Sequence, residues 1–233
     1  MALDYAAFEA LTFDCYGTLI DWETGLSEAF APVLAARGLT VDREALLERY
    51  AAHEAAAEAG DYRPYREVLA RVLRGVLVDL GAAPPTDDEA AAFGGSVADW
   101  PAFADSPAAL ARLAQRFRLG VITNCDDDLF AASQARLGVA FDVVVTAQQT
   151  RVYKPATDGF HLAWERLGLP RERVLHVAQS LFHDHVPAAT LGVRSVWIDR
   201  RHDRPGAGAT PAAAARPDAT FPDLASFADA GVR

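Results

Sequence analysis

Cysteine, basic charge and long apolar runs are all scarce in this chain. Cys15 and Cys125 are the only cysteines among 233 residues, too few for a disulfide framework and in keeping with a reducing compartment. Lysine and arginine number 22 against 32 acidic residues, for a net charge of -10 and a pI near 5.0. That balance argues against nucleic acid or an anionic membrane surface as the main partner, since both need a positive field. No apolar run approaches the roughly 20 residues of a membrane span. The N-terminus lacks the basic start and apolar core of a signal peptide. A cytoplasmic protein with no nucleic-acid or membrane partner is expected.

What is present suits a folded enzyme or binding protein. Hydrophobic residues make up 51% and charged residues 23%, ordinary globular usage, and the length suffices for a substantial core. Residues 11–19 read LTFDCYGTL. Leu11, Thr12 and Phe13 form a β-prone run that stops at Asp14, with Gly17 and Thr18 behind it. In an open parallel sheet, ligands bind at the carboxyl ends of the strands, which places Asp14 at a pocket. Aspartate is also a common turn residue, so this stretch alone does not settle its role.

After Asp14 the pattern turns helical. Leu26, Phe30, Val33 and Leu34 recur at helical spacing up to Gly38, and residues 43–59 and 65–80 follow as helices, the latter with Val68, Leu69, Val72, Val76 and Leu80 on one face. The expected organisation is an α/β core of residues 1–20 and 101–233 with a helical cap, 21–100, inserted after the first strand. Strands are expected at 119–123, 143–146, 174–178 and 195–198, with helices at 129–137, 159–167 and 185–191 between them. This alternation predicts a doubly wound parallel sheet, Rossmann-like in form. Residues 202–217 read as a surface loop, with a last short strand and helix at 219–230.

Each later strand also ends in polar residues. The second gives Thr123 and Asn124, a loop after the third gives Lys154, and the fourth gives Gln179 and Ser180 followed by His183 and Asp184. In the order DCYGTL, ITN, YKP and SLFHD, these segments resemble the haloacid dehalogenase superfamily, whose members carry an Asp nucleophile, a Ser or Thr, a Lys and a distal acid in that order. Most of that superfamily are magnesium-dependent phosphatases with a second Asp two residues after the nucleophile. Here that position is Tyr16, and Gln179 stands where an acid near the metal is usual.

The pattern Asp-X-Tyr-Gly-Thr instead is similar to the (S)-2-haloacid dehalogenases, which use no metal or other cofactor. The resemblance implies that Asp14 displaces halide from a short 2-haloalkanoic acid and that water hydrolyses the resulting ester. It further implies that Thr18 orients Asp14, that Lys154 holds it ionised, and that Asp184 pairs with Lys154 and activates the water. Tyr16, Thr123 and Asn124 would bind the small anionic substrate together with backbone amides after Asp14, and Arg49 in the cap would attract it and cradle halide. Similar dehalogenases are often dimers, so a homodimer is a possible assembly. The chain departs from that family at Phe160, where a Tyr is usual, and at Gln179 and Leu181, where a Ser and a water-holding Asn are usual. Gln179, His183 or His185 are candidate substitutes. A phosphatase with an atypical metal site, and a binding protein without turnover, are the alternatives.

Overall fold

The computed structural model describes residues 3–204, 206 and 208–232. Six strands form one sheet: β1 (Ala10–Phe13), β2 (Arg118–Thr123), β3 (Val143–Thr146), β4 (Val174–Ala178), β5 (Ser195–Ile198) and β6 (Ala219–Phe221). Their order is β3-β2-β1-β4-β5-β6, and every neighbouring pair is parallel. Strands buried on both faces need apolar runs, as Val143 to Val145 supply and as Val174 to Ala178 supply on either side of the buried His176. Leu11, Phe13, Val121 and Val177 point into the larger core, whereas Ile122, Val145 and Phe160 fill a smaller one on the opposite face.

Between β1 and β2 the chain is helical: α1 (Trp22–Ala35), α2 (Arg43–Glu58), α3 (Tyr65–Asp79), α4 (Asp87–Gly95) and a 3-10 turn, Ser96–Asp99. Asp21 caps α1 through the Thr24 amide and Asp42 caps α2 through the Ala45 amide. At α4, Thr86 and Glu89 form a reciprocal capping box, so three starts follow from short polar residues placed just before helix-forming runs. The helical segment leaves the sheet at Ile20 and returns at Ala102, where the two crossings pair. The amide of Asp21 donates to Pro101 O at 2.8 Å and that of Phe103 to Leu19 O at 3.1 Å.

The rest of the chain wraps the sheet. α5 (Ser106–Leu113) precedes β2, α6 (Asp127–Leu137) joins β2 to β3, and α7 (Ala147–Thr150) and α8 (Asp158–Leu167) join β3 to β4. A π-type turn, Leu181–His185, and α9 (Val186–Leu191) lead to β5, and α10 (Leu224–Gly231) follows β6. The strand positions match the sequence expectation closely. The helix expected from residue 185 begins instead at Val186, because the preceding five residues take the wider turn. The α5 helix was not anticipated, since its eight residues carry only two turns of apolar spacing. Within the expected loop at 202–217, Pro205 and Ala207 lie outside the described residues. No helix of the described residues is long and apolar enough to cross a membrane.

Candidate active site

Strand order reverses about β1, which has β2 on one side and β4 on the other. The crevice at the carboxyl ends of such strands is the standard ligand position in a doubly wound sheet. Asp14 follows β1, Asn124 follows β2, Lys154 follows β3 and Asp184 follows β4, so four connections converge there.

Lys154 is the hub. Its Nζ donates to Asp14 Oδ1 at 2.8 Å, to Asp184 Oδ1 at 2.8 Å and to Ile122 O at 3.0 Å. All three ammonium protons are therefore used. The Thr18 hydroxyl donates to Asp14 Oδ2 at 2.6 Å and accepts from the Gln179 amide at 2.8 Å. Both oxygens of Asp14 are thus held. Gly17, between Asp14 and Thr18, has φ +92, and a Cβ there would lie 3.0 Å from Trp22 Nε1, so the turn that brings Thr18 back onto Asp14 needs glycine.

Asp184 is fully buried. Its Oδ1 also lies 2.9 Å from His176 Nε2, while His176 Nδ1 lies 3.0 Å from the Thr12 hydroxyl. A carboxylate only accepts, so Nε2 donates a proton to Asp184, and the Thr12 hydroxyl holds the other ring nitrogen. Asp184 Oδ2 has no hydrogen-bond partner. Burial raises the Asp14 carboxyl above its ordinary range, against the pull of the Lys154 ammonium. Burial acts on Asp184 too, but Lys154 and His176 outweigh it and hold that carboxyl below the usual range. Burial would lower Lys154, yet the two carboxylates raise it above an ordinary lysine. The trio is one ammonium shared by two buried carboxylates.

These groups open on a cavity of about 30 Å³, room for about two waters or a ligand of a few atoms. Tyr16 lines it, with its hydroxyl 3.0 Å from Ser133 Oγ and its ring edge-on to Trp100. Asn124 lines it as well: its Oδ1 accepts from Lys154 N at 2.7 Å, and its Nδ2 donates to Lys154 O at 3.2 Å and to Glu58 Oε2 at 3.4 Å. Asn124 therefore positions the lysine loop. Thr123 is set apart from the cavity at Asp14. Its side chain lines a neighbouring cavity of about 10 Å³, and its hydroxyl has no partner.

The expected position of Arg49 is corrected by the structure. Its guanidinium donates back to Ala45 O at 2.9 Å and is not among the groups lining the cavity. The α2 helix turns Glu54 and Glu58 to the cavity instead. Arg49 precedes Tyr50, the buried residue of that face, by one position, or about 100° of helical rotation. His183 and His185 are both buried. His183 lines the cavity, and burial pulls its pKa down to about 4. His185 is held between Ser195 Oγ and Ala178 O. Leu181 faces a different cavity, beside Trp197 and Arg204. Phe160 packs its ring 4.8 Å from that of His176.

Glu54, Glu58 and His176 were missed by the sequence reading. The available signal was the spacing of Leu47, Tyr50, Ala51 and Glu54, which puts an acid in the buried stripe of α2.

A magnesium ion in this site would need free carboxylate oxygens. Lys154 and Thr18 occupy both oxygens of Asp14, Lys154 and His176 occupy one of Asp184, and Tyr16 and Gln179 offer no carboxylate. Among the described residues, no group of three or more His, Cys, Asp or Glu side chains is placed to hold a metal. The residues present do not fit the ion.

A family model described as haloacid dehalogenase-like hydrolase matches residues 8–180. An (S)-2-haloacid dehalogenase of Pseudomonas putida is 26% identical over 199 residues, which cover 83% of this chain and 86% of that protein. A phosphoserine phosphatase of Thermus thermophilus is 32% identical over 161 residues, covering 67% of this chain and 64% of that protein. The solved structure of an L-2-haloacid dehalogenase from Xanthobacter autotrophicus with chloropropionic acid covalently bound has a TM-score of 0.78 and 21% identity, covering 95% of this chain and 97% of that chain. With that family match running from the approach to β1 through β4, the chain belongs to the haloacid dehalogenase-like hydrolases.

Proposed function

We propose that this hydrolase cleaves the carbon–halogen bond of a short (S)-2-haloalkanoic acid, without a metal, through an ester on Asp14. The observation that carries the reading is the Asp14–Lys154–Asp184 bridge, with Thr18 fixing the second oxygen of Asp14. The (S)-2-haloacid dehalogenases among its relatives support it.

An Asp14 oxygen attacks C2 from the face opposite the halogen. The new C–O bond forms as the C–halogen bond breaks, and halide leaves with the bonding pair. Halide needs no proton, so Tyr16, whose hydroxyl is engaged by Ser133, serves where an alkoxide leaving group would need a carboxylic acid. A water that donates to Asp184 Oδ2 then attacks the ester carbonyl. One of its protons passes to Asp184 and from there to the departing C2 oxygen, so that the 2-hydroxy acid leaves, Asp184 returns to its carboxylate, and the second water proton is released to solvent as Asp14 is restored. Backbone amides after Asp14 receive the substrate carboxylate, and the 21–100 segment acts as a cap closing the cavity from water. Attack at C2 followed by hydrolysis at the Asp14 carbonyl inverts C2 once.

The test is halide release from (S)- and (R)-2-chloropropionate with and without a chelator, beside phosphate release from p-nitrophenyl phosphate with magnesium. Chelator-insensitive release from the S form, yielding (R)-lactate and lost in Asp14→Asn, is expected. Magnesium-dependent phosphate release without halide release would replace this reading with the phosphatase one.

A further inference from the structure

A water that attacks the Asp14 ester needs more than Asp184 Oδ2 to hold it, because one contact leaves its lone pairs free to turn away from the carbonyl. Leu181 stands where the (S)-2-haloacid dehalogenases usually carry a water-holding Asn, and it lines a different cavity. Three polar residues flank that position. His185 has both ring nitrogens engaged, Nδ1 with Ser195 Oγ and Nε2 with Ala178 O. Gln179 lines the cavity beside Trp197 and Arg204, not the one at Asp14. Of the three, only His183 lines the cavity at Asp14.

The local backbone explains that placement. Leu181–His185 is a π-type turn, in which the amides of Asp184 and His185 both reach back to Ser180 O, at 3.2 and 3.3 Å. Such turns are uncommon and gather at functional sites. Here the turn sets two consecutive residues, His183 and Asp184, on one wall, where an α-helix would part them by about 100°. Ser180 fixes the imidazole: its Oγ accepts from the His183 amide at 2.9 Å and lies 3.2 Å from Nδ1. The other ring nitrogen, Nε2, makes no hydrogen bond among the described residues. Glu58 Oε2 is 4.0 Å from it, beyond hydrogen-bond reach. Burial pulls the His183 pKa down to about 4, so the ring is neutral near pH 7 and one of its nitrogens is an acceptor. Across the cavity the acids of α2 are engaged with their own partners. Glu54 Oε1 accepts from the hydroxyls of Tyr50 and Tyr65, and Glu58 Oε2 accepts from Asn124 Nδ2.

We infer that His183 Nε2 is the second partner of the hydrolytic water, in the place that Leu181 leaves empty. Resting on the reading above, the ring carries its proton on Nδ1, toward Ser180 Oγ. Nε2 then accepts one water hydrogen while Asp184 Oδ2 accepts the other. With both hydrogens turned to the π-type turn, a lone pair of the water faces the Asp14 ester carbonyl. The hydrogen on the Asp184 side goes to the departing C2 oxygen, and the one held by His183 is the proton shed as Asp14 is restored. His183 is thus a catalytic residue of the second half-reaction and takes no part in the first.

The experiment measures the two half-reactions separately on the full chain, unaltered and as His183→Leu and His183→Gln. Rapid-quench halide release from (S)-2-chloropropionate reports ester formation, and the intact mass of the quenched protein reports the ester on Asp14. In His183→Leu a stoichiometric halide burst at the native rate is expected, followed by hydrolysis slowed about 100-fold, with the ester mass accumulating. A trapped ester after an undiminished first step is a result that general loss of packing does not give. In His183→Gln, whose amide still hydrogen-bonds from the same backbone position, the same burst should precede hydrolysis slowed about tenfold, and this variant decides the matter if His183→Leu does not fold. Hydrolysis at the native rate in the variants, or equal slowing of both half-reactions, would overturn the role of His183 while halide release by the unaltered chain leaves the dehalogenase reading standing. No halide release by the unaltered chain would refute that reading itself, and the assignment of His183 with it.

Discussion

Asp126 accepts the backbone amide of Tyr65 at 2.8 Å, joining the end of β2 to the start of α3 across 61 residues of chain. The same carboxylate accepts the Arg66 amide at 3.2 Å and its Nε at 3.3 Å. Pro64, the residue before α3, offers no capping side chain. A helix start leaves amides without partners, and here an acid from the sheet side satisfies two of them.

Asp126→Ala should therefore cost on the order of 3 kcal/mol, because it strips a buried acceptor from three donors. Urea unfolding at pH 7 measures it. Asp126→Asn keeps an acceptor oxygen and should recover part of the loss.

Lys154→Met leaves Asp14 and Asp184 buried without their shared ammonium. Breaking a buried ion pair from one side costs about 3–5 kcal/mol, and turnover should vanish. The pH dependence gives the sign. In the native chain the depressed pKa of Asp184 contributes stability above its unfolded value, lost only as pH falls. In the variant burial dominates both acids and raises them, so stability should fall as pH rises. The fall in unfolding midpoint from pH 5 to pH 8 should therefore be larger in the variant than in the native chain, where the ammonium offsets the burial of both acids.

Glu54 makes the opposite contribution. Burial raises its pKa to about 7 from 4.5, against the tyrosine hydroxyls. The protonated folded form is favoured, so this stability is fully present below the unfolded value and is lost as pH rises from 4.5 through 7. The size is on the order of 3 kcal/mol. Glu54→Gln should flatten the stability profile across that window, as read from urea midpoints at half-unit pH steps. A steep profile retained in the variant would assign the effect to Glu58.

Thr18→Ala removes the 2.6 Å hydrogen bond to Asp14 Oδ2 and the acceptor for the Gln179 amide. A hydrogen bond to a charged group is worth about 1.5–3 kcal/mol, so the halide-release rate should drop by roughly 10- to 100-fold. Stopped-flow halide detection in a single turnover checks that the loss lies in the first half-reaction.

The sheet was legible because its strands are short apolar runs that end in polar residues, as Val121, Ile122 and Thr123 show before Asn124. Asp14, Lys154 and Asp184 could be named from their order along the chain, since a parallel sheet collects strand ends on one edge. Arg49 was misplaced because α2 is alanine-rich, and alanine gives a weak stripe that leaves the facing side ambiguous by a residue. Glu54 was overlooked for the same reason: an acid in such a helix reads as solvated until Tyr50 and Tyr65 are brought against it. The roles of His176 and Asn124 depend on contacts across 8 and 30 residues, and no local pattern encodes them.

Lys154 is the only lysine in the chain, and it is buried. Protein grown on isotope-labelled lysine thus carries one side-chain nitrogen signal, held between Asp14 and Asp184. Ester formation at Asp14 would remove a negative charge from one side of that nitrogen, so the reaction has a spectroscopic reporter already inside it. Amine-directed reagents meet the mirror image of this fact: the outer surface displays no lysine for them to modify.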